Sequence, residues 1–442
     1  MKPKSLKSRR NPKSIPAPNT ASSTDRSNGN YQKTVLPNGV RVISEQIPFV
    51  RSVSVGVWVN NGSRDESEST NGISHFIEHM VFKGTKKRSV REIARSLESV
   101  GGYLNAFTGK EHTCYYARVL DQHTPLAVDV LSDMVLGATF PATELEKEKG
   151  VVIDELKQAE DDPDDIIHDY FERAIFGTHT LGFPIIGTEK NLRSFSTDDL
   201  FRFRGEKYLP GCIILTAAGN IEHAQLVVLA EKAFNHLRST QQNGSVKRDV
   251  PKQQKGGHQE FLKPIQQAHI CTGTTSCSIR SKSRYPLMAL NAILGEGMSS
   301  RLFQNIREKH GFAYSVYSYA NMLSDSGSFG VYVGTDRQHV EKCLELIWKE
   351  LKALQTKGAS AAELRRVKEQ LKGSMMLGLE SIPNRMMRLG TSELYFHELT
   401  PIDSIIKKVD AVTMDDLHAI ADDLFREERF STIVFKPDTP KN

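Results

Sequence analysis

Apolar residues recur along the chain in two periods, and the switches between them mark its elements. Val53, Val55, Val57 and Val59 alternate with Ser54, Gly56 and Trp58, the pattern of a half-buried strand that ends on the turn signal Asn60-Asn61-Gly62. From Gly72 the period lengthens. Ile73, Phe76, Ile77, Met80 and Val81 fall at i, i+3, i+4, i+7 and i+8, which predicts a helix with one apolar face. Ser89-Val90-Arg91-Glu92 is a capping box that opens a second helix through Ile93, Ala94 and Leu97, stopped by Gly101-Gly102. Residues 103–108 and 113–120 read as strands joined through Gly109-Lys110, and Pro125 starts a helix ending near Gly137. Thr143-Glu144-Leu145-Glu146 reads as another capping box. The helix it opens puts Glu148, Val151, Val152 and Glu155 on one face. A further strand is expected over 213–218.

Periodicity is lost between Arg238 and His258, where Gln, Lys and Gly accumulate, so this segment is expected to be a linker. Beyond it the order repeats, with strands over 268–275, 313–319 and 329–333 and helices over 285–294 and 340–354. Short echoes support the repeat. Ala362-Glu363-Leu364 matches Thr143-Glu144-Leu145, and Thr413-Met414-Asp415-Asp416-Leu417 matches Ser196-Thr197-Asp198-Asp199-Leu200, 217 residues earlier. The chain is therefore expected to hold two copies of one α+β unit of about 200 residues. The expected boundaries are a basic tail over 1–32, a first domain over 33–240, a linker over 241–257 and a second domain over 258–437.

Composition narrows the class. The 442 residues suffice for two or three cores, and 38% hydrophobic with 25% charged residues is ordinary for a soluble enzyme. No apolar run reaches the ~18 residues of a membrane span. Five scattered cysteines with no C-x-x-C favour reduced thiols over disulfides or a Cys-bound metal. The net charge of +5 changes meaning once it is located. Seven basic side chains against Asp25 give residues 1–30 a net +6, leaving −1 for the rest, which removes most of the case for nucleic-acid binding. The tail, interrupted by Pro12, Pro16 and Pro18, is expected to be disordered, and the protein cytoplasmic. A transit peptide directing it to the mitochondrial matrix is the rival reading.

Candidate chemistry lies on the Gly72 helix. His75, Glu78 and His79 share the side opposite its apolar face, and two imidazoles four residues apart can grip one ion. The order H-x-x-E-H is that of the inverted zinc peptidases. The corresponding helix of the second copy, Pro286 to Leu294, has neither His nor acid. A catalytic zinc takes three protein ligands and keeps a fourth position open. Glu148 and Glu155 lie ~10 Å apart along a helix axis, too far to share an ion with bonds of ~2 Å. One is a ligand and the other a support; spacing does not choose. The acidic run Glu160, Asp161, Asp162, Asp164 and Asp165 reads as a solvated face, and His112 and His168 as surface or core groups.

His75-Phe76-Ile77-Glu78-His79 followed by Glu155 resembles the pitrilysin/insulinase family of inverted zinc metallopeptidases, in particular its mitochondrial-processing-peptidase-like single-chain branch. The resemblance runs from about residue 33 to residue 436. It implies two homologous α/β sandwich domains, antiparallel-rich sheets packed against helices, joined by a linker and closing over a cavity. It selects Glu155 as the third ligand of one Zn2+ per chain, Glu148 as its support and Glu78 as the base. Gly102-Tyr103-Leu104-Asn105-Ala106-Phe107-Thr108 resembles the family's substrate-binding strand, which gives Asn105 and Ala106 contacts to peptide backbone. Gly297-Met298-Ser299-Ser300-Arg301-Leu302-Phe303, with Arg307 and Tyr314, resembles its second-half motif, where the Arg and Tyr bind substrate. The expected activity is a zinc endopeptidase acting on peptides or unfolded protein, with no nucleic-acid or membrane partner and with a homodimer allowed for. The alternatives are a dedicated processing peptidase that removes targeting sequences, or a non-catalytic assembly subunit, which intact ligands argue against.

Overall fold

The computed structural model describes residues 31–238 and 246–438. The disorder and targeting role expected of the basic tail fall on residues outside these, as does part of the expected linker. Tyr31 and Gln32, expected within the tail, instead pair in a strand with Glu45 and Ser44. Gly257, expected to end the linker, begins another strand.

Two sheets organise the chain. The first comprises β1 (Tyr31–Val35), β2 (Arg41–Gln46), β3 (Ser52–Val59), β4 (Tyr103–Thr108), β5 (Thr113–Leu120) and β6 (Ile213–Gly219), in the spatial order β1-β2-β6-β3-β5-β4. The second comprises β7 (Gly257–Lys263), β8 (Ala268–Ser276), β9 (Ala313–Met322), β10 (Gly327–Thr335) and β11 (Ser431–Pro437), in the order β7-β11-β8-β10-β9. With β1 set aside, the two orders correspond strand for strand. In each, one parallel pair, β2 with β6 and β7 with β11, holds the same place among antiparallel neighbours. The repeat read from short echoes is thus an architectural one.

The helices of the first half are α1 (Ile73–Met80), α2 (Val90–Glu98), α3 (Thr124–Gly137), α4 (Ala142–Asp161), α5 (Pro163–Phe176), α6 (Glu189–Ser194), α7 (Thr197–Lys207) and α8 (His223–Phe234). Those of the second are α9 (Arg284–Leu294), α10 (Val340–Thr356), α11 (Ala361–Gly378), α12 (Ile382–Phe396), α13 (Ile402–Asp410) and α14 (Met414–Leu424). Ser89 caps its helix with reciprocal bonds to the third residue on, as its sequence predicts, and the echoing Ser196 and Thr413 do the same. Thr143 does not. Extended Pro141 makes the entry to α4, so Thr143 lies inside the first turn. No described helix is long and apolar enough to cross a membrane, and all five cysteines are free.

β3 departs from the half-buried expectation, because every residue from Val53 to Val59 is buried. Its valine face joins Phe76, Ile77 and Met80 of α1 in the core of the first half. Its other face lies under a helix from the second half: Trp58, flanked by Ile43 of β2 and Ile214 of β6, packs against Met386 and Leu389 of α12. The exchange is mutual. α5, from the first half, lays Ile167, Phe171 and Ile175 on Cys271, Tyr332, Ile433 and Phe435 of the second sheet. Each such fully buried apolar side chain contributes about 1.5–3 kcal/mol. Polar bonds fix the crossed helices: Glu393 of α12, itself 1% exposed, pairs with Lys33 at 2.7 Å and Arg41 at 3.0 Å. The acidic run is therefore more than a solvated face. Asp162 caps α5, and Asp164 accepts from Tyr332 Oη at 2.6 Å and pairs with His269 at 2.8 Å across the halves. A crevice of about 410 Å³ remains between the halves, lined by Lys110, His112 and Phe176 on one side and Ile279, Met322 and Tyr395 on the other.

Candidate metal centre

α1 is short and tightly placed. Ile73, Phe76, Ile77 and Met80 are buried beneath it, which turns His75, Glu78 and His79 the other way. Gly72 enters the helix at φ +98°, and a Cβ there would meet Ile186 O at 2.7 Å, so glycine alone fits.

α4 runs beside α1 and brings both glutamates. His75 Nε2 lies 3.8 Å from Glu155 Oε1, and His79 Nε2 lies 3.4 Å from Glu155 Oε2. One ligand atom from each of the three lies within 4.8 Å of the others, a spread that bonds of ~2 Å to a single ion can close. Glu148 is used differently. Its Oε1 accepts from His79 Nδ1 at 2.9 Å and its Oε2 from Lys83 Nζ at 2.6 Å. A donor hydrogen at Nδ1 leaves the Nε2 lone pair of His79 facing Glu155. Glu155 thus faces both imidazoles, and Glu148 holds one from behind.

Charge around the cluster matches a cation. Burial, with His79 adding to it, pushes His75 down to about 4. Burial also works downward on His79, but its bonds to Glu148 and Glu155 prevail and raise it to about 9. The field that draws a proton onto His79 favours a divalent ion between the same donors, and two imidazoles with one carboxylate are a set that suits zinc. His75 Nδ1 is buried without a hydrogen-bond partner among the described residues.

Glu78 stands beside the three. Burial raises its carboxyl above the usual range, opposed by Thr108, whose Oγ1 donates to Glu78 Oε2 at 2.5 Å. Sequence reasoning has Thr108 only as the end of the substrate-strand stretch, without its bond to Glu78, and misses Lys83. Lys83 follows His79 by four residues, a spacing that points to it once the turn after α1 is counted.

Asn105 and Ala106 lie on β4, an outer strand of the first sheet, bonded to β5 along one edge. Asn105 Nδ2 donates to Tyr103 Oη at 2.7 Å, and Ala106 N–H to Asn105 Oδ1 at 2.8 Å. In the second half Arg307 and Tyr314 come together at the start of β9, also an outer strand. The Arg307 guanidinium lies 4.5 Å over the Tyr314 ring and donates to Tyr314 O at 2.9 Å. Tyr314 is 76% exposed, and no hydrogen bond or ion pair joins this pair to the His75 cluster among the described residues. His112 packs its ring against Trp58 and Phe107, and His168 bonds Tyr317 and Tyr319.

Residues 41–189, which contain the whole cluster, match the family model for insulinase, peptidase family M16. Residues 194–371 match the model described as the peptidase M16 inactive domain. The chain is 44% identical over 395 residues to the uncharacterized zinc protease YmxG of Bacillus subtilis, covering 88% of this chain and 95% of that protein. It is 39% identical over 407 residues to an uncharacterized zinc protease of Streptomyces coelicolor, covering 90% and 87%. The fold is that of a crystal structure of a protease from Helicobacter pylori, with a TM-score of 0.88 at 22% identity over 93% of this chain and 100% of that one. Matched in both halves and along nearly the full length of these relatives, the chain belongs to the insulinase family, peptidase family M16.

Proposed function

We propose that the protein is a zinc-dependent endopeptidase of peptides and unfolded protein segments, with His75, His79 and Glu155 holding one zinc ion and Glu78 acting as the base. The observation that carries this reading is the convergence of two imidazole Nε2 atoms on Glu155 while Glu148 engages Nδ1 of His79. The naming of full-length relatives as zinc proteases supports the choice of metal. When bound, the ion supplies Lewis acidity that polarises a peptide carbonyl and acidifies water.

The chain's own residues do the rest. Glu78 is oriented through Oε2 by Thr108, which leaves Oε1 to take a proton from the attacking water and return it to the leaving amine. The free edge of β4 aligns an extended peptide by main-chain bonds, with Asn105 and Ala106 at its middle. Arg307 and Tyr314 offer a cation and a phenol from the second half, across the space between the sheets. Enclosure between two halves favours chains that can extend over folded ones. Mass spectrometry of a digested peptide library tests the assignment. Cleavage is expected to vanish with a chelator and return with zinc; cleavage indifferent to chelator, or none by zinc-loaded protein, overturns it.

A further inference from the structure

Three consecutive side chains ahead of α1 are withdrawn from solvent: Arg64 and Asp65 turn toward the second half and the segment leading into it, and Glu66 turns toward α1. Arg64, 4% exposed, donates from Nη1 to Glu111 Oε1 at 2.6 Å and to Asp325 Oδ1 at 2.7 Å. From Nη2 it donates to Asp325 Oδ2 at 2.7 Å and to Asp249 O at 2.6 Å. One guanidinium thereby joins the β4–β5 turn, the segment leading into the second half, and the β9–β10 turn. Asp65 takes a two-pronged bond from Arg248 at 2.8 and 2.9 Å. Glu66 turns toward α1: Oε2 accepts from Gly72 N–H at 2.8 Å and Asn71 Nδ2 at 3.1 Å, and Oε1 from Ser74 N–H at 2.8 Å.

The Glu66 bonds are an N-cap supplied from outside the helix. The first N–H groups of a helix lack partners within it, and Gly72, at the capping position, has no side chain to offer. Glu66 is buried with donors on both oxygens. A glutamine there would aim an NH2 group at an N–H. Burial pushes the carboxyl up to about 7, yet every bond it makes favours the ionised form. Ser74, which it holds, immediately precedes His75, and a shift of this first turn redirects His75 together with Glu78 and His79.

We propose that Glu66 is a positioning residue for the metal-site helix, and that Arg64 makes that positioning depend on the seating of the second half through Asp325. This rests on the assignment of His75 and His79 as ligands, and it extends the site to groups that touch neither ion nor substrate.

The test uses the full chain with Glu66→Gln, Glu66→Asp, Asp325→Ala and the Glu66→Gln/Asp325→Ala double variant. Zinc affinity is read by competition with a chromophoric chelator, ligand geometry by visible absorption of the cobalt-substituted protein, and turnover by kcat and KM. Glu66→Gln is expected to weaken zinc about 10–100-fold, as loss of a ligand's supporting bonds does, and to change the cobalt bands. Its kcat should fall with KM little changed. Asp325→Ala, which leaves Arg64 on Glu111 and Asp249, is expected to weaken zinc several-fold, and the double variant by less than the product of the two. Wild-type zinc affinity and cobalt bands in Glu66→Gln overturn the positioning role. Strictly multiplicative losses in the double variant overturn the coupling. Should Glu66→Gln not fold, Glu66→Asp, which keeps the charge but shortens the reach, is judged by the same two readouts. Absence of peptide cleavage by the zinc-loaded wild type would sink the peptidase assignment alone, because metal affinity and cobalt absorption are read without substrate.

Discussion

His79 donates from Nδ1 to Glu148 at 2.9 Å, while its Nε2 lies 3.4 Å from Glu155, one carboxylate on each side of a single ring. Two glutamates seven residues apart on α4 thus serve one imidazole from opposite nitrogens. Glu155→Gln is expected to strip zinc, because two imidazoles alone hold it poorly. Glu148→Gln should weaken it by about 10–100-fold, since the ring keeps its place but a neutral amide oxygen replaces the charged carboxylate that orients it. Chelator competition on the two variants separates them, and the reverse ranking would exchange their roles.

Glu78 has no part in holding the ion under the proposed assignment. Glu78→Gln should therefore retain zinc at wild-type stoichiometry while hydrolysis falls by about 10²–10⁴-fold, the usual worth of a general base. Metal analysis beside single-turnover peptide cleavage checks both halves of this statement.

Gly390 of α12 has Trp58 of β3 directly against it, so that a Cβ would stand 2.1 Å from Trp58 Cε2. Gly390→Ala is expected to cost about 1–3 kcal/mol by overpacking, although it lies in the half without ligands. The thermal midpoint should drop, and zinc affinity measured well below it should be preserved. An unchanged midpoint would mean that α12 is free to lift from the sheet.

Arg301 belongs to the stretch whose resemblance pointed to substrate binding, yet its Nε donates to Glu363 at 2.7 Å. The Arg301 bond, aided by Ser360, holds the Glu363 carboxyl down at about 2 against an ordinary 4.5. A carboxyl depressed in the folded state adds stability that is fully present above its unfolded value and is lost as pH falls toward the folded one. Glu363→Gln should accordingly melt below the wild type at pH 7, by about 1–2 kcal/mol. The gap should narrow between pH 5 and pH 3, and thermal melts across that range read it directly.

What was legible in the sequence is what local spacing controls. The apolar stripe of α1 fixes the side to which His75, Glu78 and His79 turn, and β4, β5 and the helix carrying both glutamates are marked by period and punctuation alone. Contacts between distant segments left no such mark. The alternation through Trp58 is identical whether water or a helix lies over it, so the role of α12 is invisible until Met386 and Leu389 are seen against that face. Thr108 is one strand hydroxyl among several. Glu66 sits in an aperiodic turn, where one acidic residue looks like any other.

The crossed helices also set an order in time. A ribosome delivers every proposed ligand, the base and the β4 edge by the time Glu155 has emerged, well before α12 exists. Until residues 382–399 are made, the face carrying Ile43, Trp58 and Ile214 has nothing to cover it. A nascent first half then carries the proposed ligands and base but leaves this face of its sheet bare until a segment near the end of translation arrives. Under the proposed assignment, products of translation that stop short of α12 should leave this face bare and take up zinc less firmly than the whole chain.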